Sequence, residues 1–484
     1  MRFDAGWSVM EAAQVRDPLA AARALAHLPH PFLLHSATRD GRARWSFFGA
    51  DPFAVFSGAD DRAARALWRG LKGPSGIADP EVGRIPFTGG VVGYWAYDFG
   101  RRLERRLGRL PERDAADELR LPNVLLGFYD VVGAFHHATG RSWLCSSGLP
   151  LDPPLRVKRA RDRLGGFRDL LAAAPRGDLR LPPRRVEVAH PRSTFTPDGY
   201  RAAVQRVRDL IRAGDIFQAN LSQRWTLPVG RADPTALALA LSEALALHSP
   251  APHAAFLGEP GHAIASASPE RFIELRGTRV ETRPIKGTRP RGADAAEDAR
   301  LRAELLASEK DRAENVMIVD VLRNDLGRVC ETGSVAVEGL CELETFPQVF
   351  HLTSTVTGTL AEDRDAFDLL HACFPGGSIT GAPKIRAIEI LDGLEPVRRH
   401  LYTGAIGYLD WGGDADWNIA IRTAIVTAEA VHFAAGGGIT ADSDPEAEYR
   451  ETLDKAEGMR VAVERLTGPV ELAPARACTA SGRS

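Results

Sequence analysis

Glu270, in the string SASPERF, and Lys286, in RPIKGTRPRG, are the two side chains that could do the most demanding chemistry. A carboxyl taken out of water stays protonated and can hand its proton to a departing hydroxyl. An amine taken out of water loses its proton near neutral pH and becomes a nucleophile. A hairpin running from 270 to 286 would bring the two together; from pattern alone a surface salt bridge is the stronger reading. Lysine is rare in this chain. Of 61 basic residues only six are lysine: Lys72, Lys158, Lys286, Lys310, Lys384 and Lys455. Arg keeps its proton in a protein and Lys need not. A lysine retained against this background therefore points to work that needs a removable proton, although Lys72 and Lys158 are read as incidental.

Two pairs of acids come next. Asp311 and Glu314 lie three apart in SEKDRAENVMIVDVLRNDLGRV, and Glu448 and Glu451 lie three apart in DPEAEYRETLDK, with Lys455 one turn further on. On a helix each pair shares a face, and like charges at that spacing mildly destabilise it. Two such faces could hold Mg²⁺ through one or two carboxylates, leaving positions for water and an anionic ligand. The plain alternative is a solvated helix face. Two glycine-bearing strings could offer backbone N–H groups to an anion. AAGGGITADS sets Gly436, Gly437 and Gly438 after a strand. FPGGSITGAPKIRA sets Gly376, Gly377, Ser378, Thr380 and Gly381 before a helix expected to hold Pro383 in its first turn. Neither string is a GxxxxGK[ST] or a GxGxxG inside a βαβ unit, so sites for ATP and NAD are rejected.

The elements that must position these groups fall into four stretches. Residues 1–146 read as a mixed region of short strands, with a hairpin turning at Thr139-Gly140. Residues 147–195 read as a linker around one Arg-rich helix at about 154–173. Residues 196–467 open on Thr196 as an N-cap and Pro197 in the first turn. Tyr200, Ala203, Val204, Val207, Leu210 and Ile211 then recur at helical spacing up to Gly214. Further helices are expected at 297–326, 364–373, 382–392 and 444–466, between short strands such as HAIASASP, RFIELRG, TRVETRPI, GAIGYLDW, IAIRTAIVT and AVHFAAGGG. Residues 468–484 read as a disordered tail. The composition, 44% hydrophobic and 26% charged with net charge −2, is that of a globular protein without a nucleic-acid or membrane footprint. The five scattered cysteines form no CxxC pair, and the amino terminus has no secretory pattern, so a cytoplasmic protein with reduced thiols is expected.

Nine strings in order, from GDIFQANLSQRW to GGGITADSDPEAEYRETLDKAEGM, resemble the chorismate-binding enzymes, the group holding anthranilate synthase component I, aminodeoxychorismate synthase component I and the isochorismate and salicylate synthases. They cover about residues 196–466, and FLLHS, RWSFFGADP and GGVVGYWAYDFGRRLE extend the resemblance toward the amino terminus. The resemblance implies an α+β sandwich of two packed, mostly antiparallel sheets flanked by helices. It implies that Glu314 and Glu451 ligate Mg²⁺, with Glu448 and Asp311 supporting them. It gives Arg422, Gly437, Gly438 and Lys455 to the anionic ends of chorismate, and His351, Ser378, Thr380 and Tyr402 to the ring pocket. Within the group, lysine before Gly-Thr, here Lys286, marks aminodeoxychorismate synthases, where anthranilate and isochorismate synthases usually carry alanine. Gln218 stands where water-adding members carry lysine. The activity implied is therefore amination of chorismate, with Lys286 attacking C2 while Glu270 assists departure of the C4 hydroxyl, toward 4-aminobenzoate and folate. No glutaminase or lyase region is found, so ammonia is expected from a separate glutamine amidotransferase subunit. His35 in FLLHS replaces the glutamate of tryptophan-inhibited anthranilate synthases. The rivals are anthranilate synthase component I and a catalytically silent subunit that binds an aromatic acid.

Overall fold

The computed structural model describes residues 2–4, 8–38, 44–74, 77–110, 119–173, 191–346 and 349–467. The tail at 468–484 lies outside them. Two large antiparallel sheets, one of thirteen strands and one of ten, pack face to face with helices on both outer sides, which is the α+β sandwich expected.

The apolar alternation of the strands explains the layering. Phe32, Phe47, Trp143, Ala255 and Ile264 of the larger sheet meet Val92, Tyr94, Leu125, Ile406 and Tyr408 of the smaller one in a dry core between them. The larger sheet buries its other face under helices Pro153–Ala173, Pro234–His248 and Pro445–Thr467. The smaller sheet is covered by Arg62–Leu71, Glu309–Gly327 and Ala366–Cys373.

The amino-terminal and carboxy-terminal stretches share both sheets. Phe32–His35 pairs with His253–Glu259, and Gly90–Trp95 pairs with Ala405–Asp410. The chain changes sheet at Asp130, between Val124–Tyr129 and Val131–His136. Asp130 is buried and held by Arg159 and Arg163 of helix Pro153–Ala173, so this helix of the stretch read as a linker is bolted to the sandwich; residues 174–190 of that stretch lie outside the described residues. The hairpin at Thr139-Gly140 is present, with Gly140 at φ +68°.

TRVETRPI is divided between strands Arg279–Thr282 and Ile285–Pro290, and three further boundaries differ from the sequence reading. The helix expected at 297–326 is two, Ala295–Ala307 and Glu309–Gly327, because the Ser308 hydroxyl caps the second by accepting from Asp311 N at 3.2 Å. IAIRTAIVT is not one strand: Ala415–Ile419 ends, Arg422 adopts φ +49°, and Thr423–Thr427 begins in the other sheet. Pro383 precedes helix Lys384–Leu394 as its N-cap residue instead of lying in its first turn. The Thr196 cap is as read, its side chain accepting from Gly199 N at 3.1 Å, a contact worth about 1 kcal/mol.

Candidate active site

The site forms where strand Gln218–Pro228 of the larger sheet and strand Ile285–Pro290 at the edge of the smaller one approach each other. Helices Glu309–Gly327 and Pro445–Thr467, from opposite outer layers, contribute to it.

Lys286 owes its place to a break in register. Between Ile285 and Thr288 the pairing with strand Val349–Thr359 slips. Gly287 there has φ +81°, and a Cβ on it would lie 2.9 Å from Asp311 Cβ and from Leu305 Cδ1. Only glycine allows this bend with the acidic helix so close. The Lys286 amine donates to Ser378 O at 2.8 Å. Burial lowers its pKa from the ordinary lysine value, against the pull of the Glu314 and Glu270 carboxylates. Glu270, 6% exposed, lies just before strand Arg271–Arg276. Burial raises its pKa; Lys286 and a hydrogen bond from the Ser378 side chain oppose the rise. The pair is thus no surface salt bridge.

The two acidic faces converge. Glu314 and Glu448 both have raised pKa values, chiefly from burial, with Glu448 adding to the rise at Glu314. At Glu451, burial is outweighed by Lys455 together with Lys310 and Lys286, and the pKa falls. Lys455 Nζ lies 2.6 Å from Glu451 Oε1 and donates to Gly436 O at 2.9 Å. Glu448 Oε1 accepts from Ser443 Oγ at 2.6 Å, whereas Glu448 Oε2 is buried with no hydrogen-bond partner. Lys310 approaches Glu448 at 3.6 Å. Asp311 is turned toward Arg289, at 3.4 Å.

Among the described residues no group of three or more His, Cys, Asp or Glu forms a ready-made metal cage. The donors nonetheless suit Mg²⁺, which takes few protein carboxylates and keeps water and ligand oxygens. The orphaned Glu448 oxygen and the mutual repulsion of Glu314 and Glu448 are what a hard cation would relieve.

The glycines act by lacking a side chain. They lie inside strand Ala430–Ile439, not after it. A Cβ on Gly438 would fall 2.0 Å from Gln218 Nε2, and one on Gly437 would fall 2.8 Å from Glu448 Oε2. Gln218 Nε2 reaches Glu314 Oε2 at 3.5 Å, while its Oε1 is buried and unpartnered. His351 is buried, shares a 2.8 Å hydrogen bond with Thr288 Oγ1, and has its pKa lowered to about 4 by burial and by nearby Arg422, so it is neutral at pH 7. The Arg422 guanidinium has no ion-pair or hydrogen-bond partner among the described residues and is available to an anion. Thr380 turns its hydroxyl to Gly376 O and Gly377 O and so braces the turn around Ser378. Tyr402 is buried, and its ring lies 5.9 Å from the Arg399 guanidinium. Ser443 and Lys310 were not assigned to the site from sequence; the lysine scarcity was the signal for Lys310, and Ser443 gave none.

A two-sheet sandwich with a buried amine, a buried acid and converging carboxylates defines an enzyme that handles a small anionic substrate. The sequence profile of the chorismate binding enzymes matches residues 30–461, and the chain belongs to that family. It is 39% identical over 481 residues to anthranilate synthase component 1 of Mycolicibacterium smegmatis, covering 93% of this chain and 89% of that one. It is also 39% identical over 446 residues to aminodeoxychorismate synthase component 1 of Escherichia coli, covering 89% and 92%. The solved structure of anthranilate synthase component I from Streptococcus pneumoniae superposes with a TM-score of 0.72 at 31% identity, over 86% of this chain and 92% of that one.

Because its Cβ would displace Gln218, Gly438→Ala is expected to lower kcat/KM for chorismate by about 100-fold, the cost of an ångström-scale misplacement. Steady-state kinetics on protein with an unchanged circular dichroism spectrum checks this. An unaltered kcat/KM would mean that the close approach does not matter.

Proposed function

We propose that the chain is the chorismate-aminating component of an aminodeoxychorismate synthase. The observation that carries this reading is the Lys286 amine, buried beside Glu270 and anchored on Ser378 O. The neutral amine attacks ring C2, the ring double bonds shift, and the C4–O bond breaks as the hydroxyl takes the Glu270 proton and leaves as water. The proton released by the new C2–N bond returns to the Glu270 carboxylate. Ammonia then bonds to C4, the C2–N bond breaks as Lys286 takes the proton back from Glu270, and the new C4 ammonium gives one proton to the Glu270 carboxylate, restoring both groups. One water leaves, one ammonia enters, and the enolpyruvyl ether survives. Arg422 and Lys455 meet the substrate's anionic ends, and neutral His351 lines the ring pocket without adding charge. Mg²⁺, on Glu314 and Glu451 with Glu448 and Asp311 beside them, would neutralise the ring carboxylate. A product on the route to 4-aminobenzoate and folate follows.

The names of both relatives, component 1, support a second component, and a glutamine amidotransferase supplying ammonia fits the chemistry. No described helix is long and apolar enough to cross a membrane. The equal identity to a protein named anthranilate synthase favours one rival, amination at C2 with loss of pyruvate. Mass analysis of the product from chorismate, Mg²⁺ and ammonium separates the two: a product that keeps the three-carbon side chain supports amination at C4, and 2-aminobenzoate with pyruvate overturns it. No turnover at all would favour a silent binding subunit.

The pKa directions set the pH dependence of the first step. Lys286 must be neutral, so rate is lost as pH falls through its pKa, and that limb lies below the ordinary lysine range because the pKa is lowered. Glu270 must carry a proton, so rate is lost as pH rises through its pKa, and that limb lies above the ordinary carboxyl range because the pKa is raised. A bell is therefore expected for water loss measured without ammonium. A rate that only climbs toward the ordinary lysine pKa would contradict these assignments.

A further inference from the structure

We propose that Arg399, paired with Glu395, is the positioning residue that sets the Ser378 carbonyl and hydroxyl, and through them Lys286 and Glu270. This inference rests on the amination reading only in naming the groups positioned. Ser378 serves both members of the reactive pair: its carbonyl accepts from the Lys286 amine, and its hydroxyl donates to Glu270. Ser378 sits in a short turn, Gly377–Ile379, which Thr380 braces from within.

The turn is held from behind by one guanidinium. Arg399, 6% exposed, donates through Nη1 to Ile379 O at 3.0 Å, the carbonyl next to that of Ser378. Through Nη2 it donates to Asn220 O, two residues along the strand from Gln218. Asn220 N in turn donates to Thr380 O at 2.8 Å, closing the link between strand and turn. Glu395, 7% exposed, fixes the guanidinium plane with two hydrogen bonds, from Nε at 2.8 Å and from Nη2 at 2.6 Å. The same carboxylate accepts from Ser222 N and Ser222 Oγ, both at 2.9 Å, and so ties the pair to the strand again.

Above the guanidinium lies the Tyr97 ring, 4.6 Å away, brought from the amino-terminal stretch. Tyr97 N donates to His400 O at 2.7 Å, and Asp98 accepts from His400 N at 2.9 Å, so the segment bearing Arg399 is clamped in place. A planar cation with donors in a fixed fork can bridge Ile379, Asn220 and Glu395 at once; the three N–H groups of a lysine radiate from one atom and do not span that fork. Neither Arg399 nor Glu395 is among the groups that act on Lys286 or Glu270, so the role is geometric.

The test uses Arg399→Lys and the isosteric Glu395→Gln in the full chain. Chorismate consumption with Mg²⁺ and ammonium is followed, so the readout does not depend on which amine product forms. Folded protein is verified by thermal melting. The expected result is a kcat lowered about 10- to 100-fold in Arg399→Lys, with the chorismate KM within about threefold of wild type, because the reacting groups are displaced while the anion-binding groups are not. Glu395→Gln, which keeps the shape but loosens the fork, is expected to lie between that variant and wild type. A kcat within about twofold of wild type in folded Arg399→Lys overturns the proposal. So does failure of both variants to yield folded protein, which would assign the pair to the fold alone. If the wild-type chain releases pyruvate, the amination reading fails, and the kcat-against-KM split still decides the role of Arg399.

Discussion

Lys286→Ala is expected to make no detectable 4-amino-4-deoxychorismate from chorismate and ammonium, a loss of at least about 10⁴-fold, since removing a covalent nucleophile removes the route and not merely a contact. The fold has little reason to change. Lys286 occupies a register slip at a sheet edge, and its amine is held by one backbone carbonyl. The variant keeps Glu270, Gln218 and the acidic faces, so slow chemistry at C2 is compatible with it. Chorismate binding should persist, because Arg422 and Lys455 are untouched. Product analysis by mass, with enzyme at high concentration, reads the result. Wild-type-level amination at C4 by this variant would remove the nucleophile from the account.

The second large effect is expected at the acidic faces. Glu314→Gln and Glu451→Gln each remove one negative oxygen set while keeping shape. The Mg²⁺ concentration for half-maximal rate should rise by about 10- to 100-fold or more in each, by analogy with loss of groups that support a bound metal. The two should not behave identically without metal. Glu451 is paired with Lys455, so Glu451→Gln also removes that amine's charge partner, whereas Glu314 has no lysine in direct ion-pair contact among the described residues. Unchanged Mg²⁺ titrations in both variants would withdraw the metal assignment and leave the carboxylates as electrostatic partners of Lys286 alone.

The chemistry-bearing residues were legible because type and spacing restrict them strongly. Lysine is scarce here, so Lys286 and Lys455 stood out, and the i, i+3 acids declared two helix faces whose convergence no local pattern could reveal. That convergence depends on helices from opposite sides of the sandwich, set by pairing between strands hundreds of residues apart. The sharing of both sheets by the two halves of the chain was hidden for the same reason: each strand shows its alternation, not its partner. Boundaries were lost where one residue overrode a periodic pattern. Ser308 split a long helix by capping its second half, and Arg422 broke an apolar run by turning left-handed. The contact of Tyr402, given to the ring pocket by resemblance, with the Arg399 guanidinium was likewise not legible. The Arg399–Glu395 pair was silent in sequence, because a buried ion pair at i, i+4 looks the same as an exposed one.

The most direct test is to mix the pure chain with chorismate and Mg²⁺ in the absence of ammonium, quench it in acid, and map the digested protein by mass. The account predicts a peptide containing Lys286 that is heavier by chorismate less one water, and its disappearance when ammonium is added before the quench. An unmodified Lys286 peptide under conditions where the same chain goes on to aminate chorismate would contradict it.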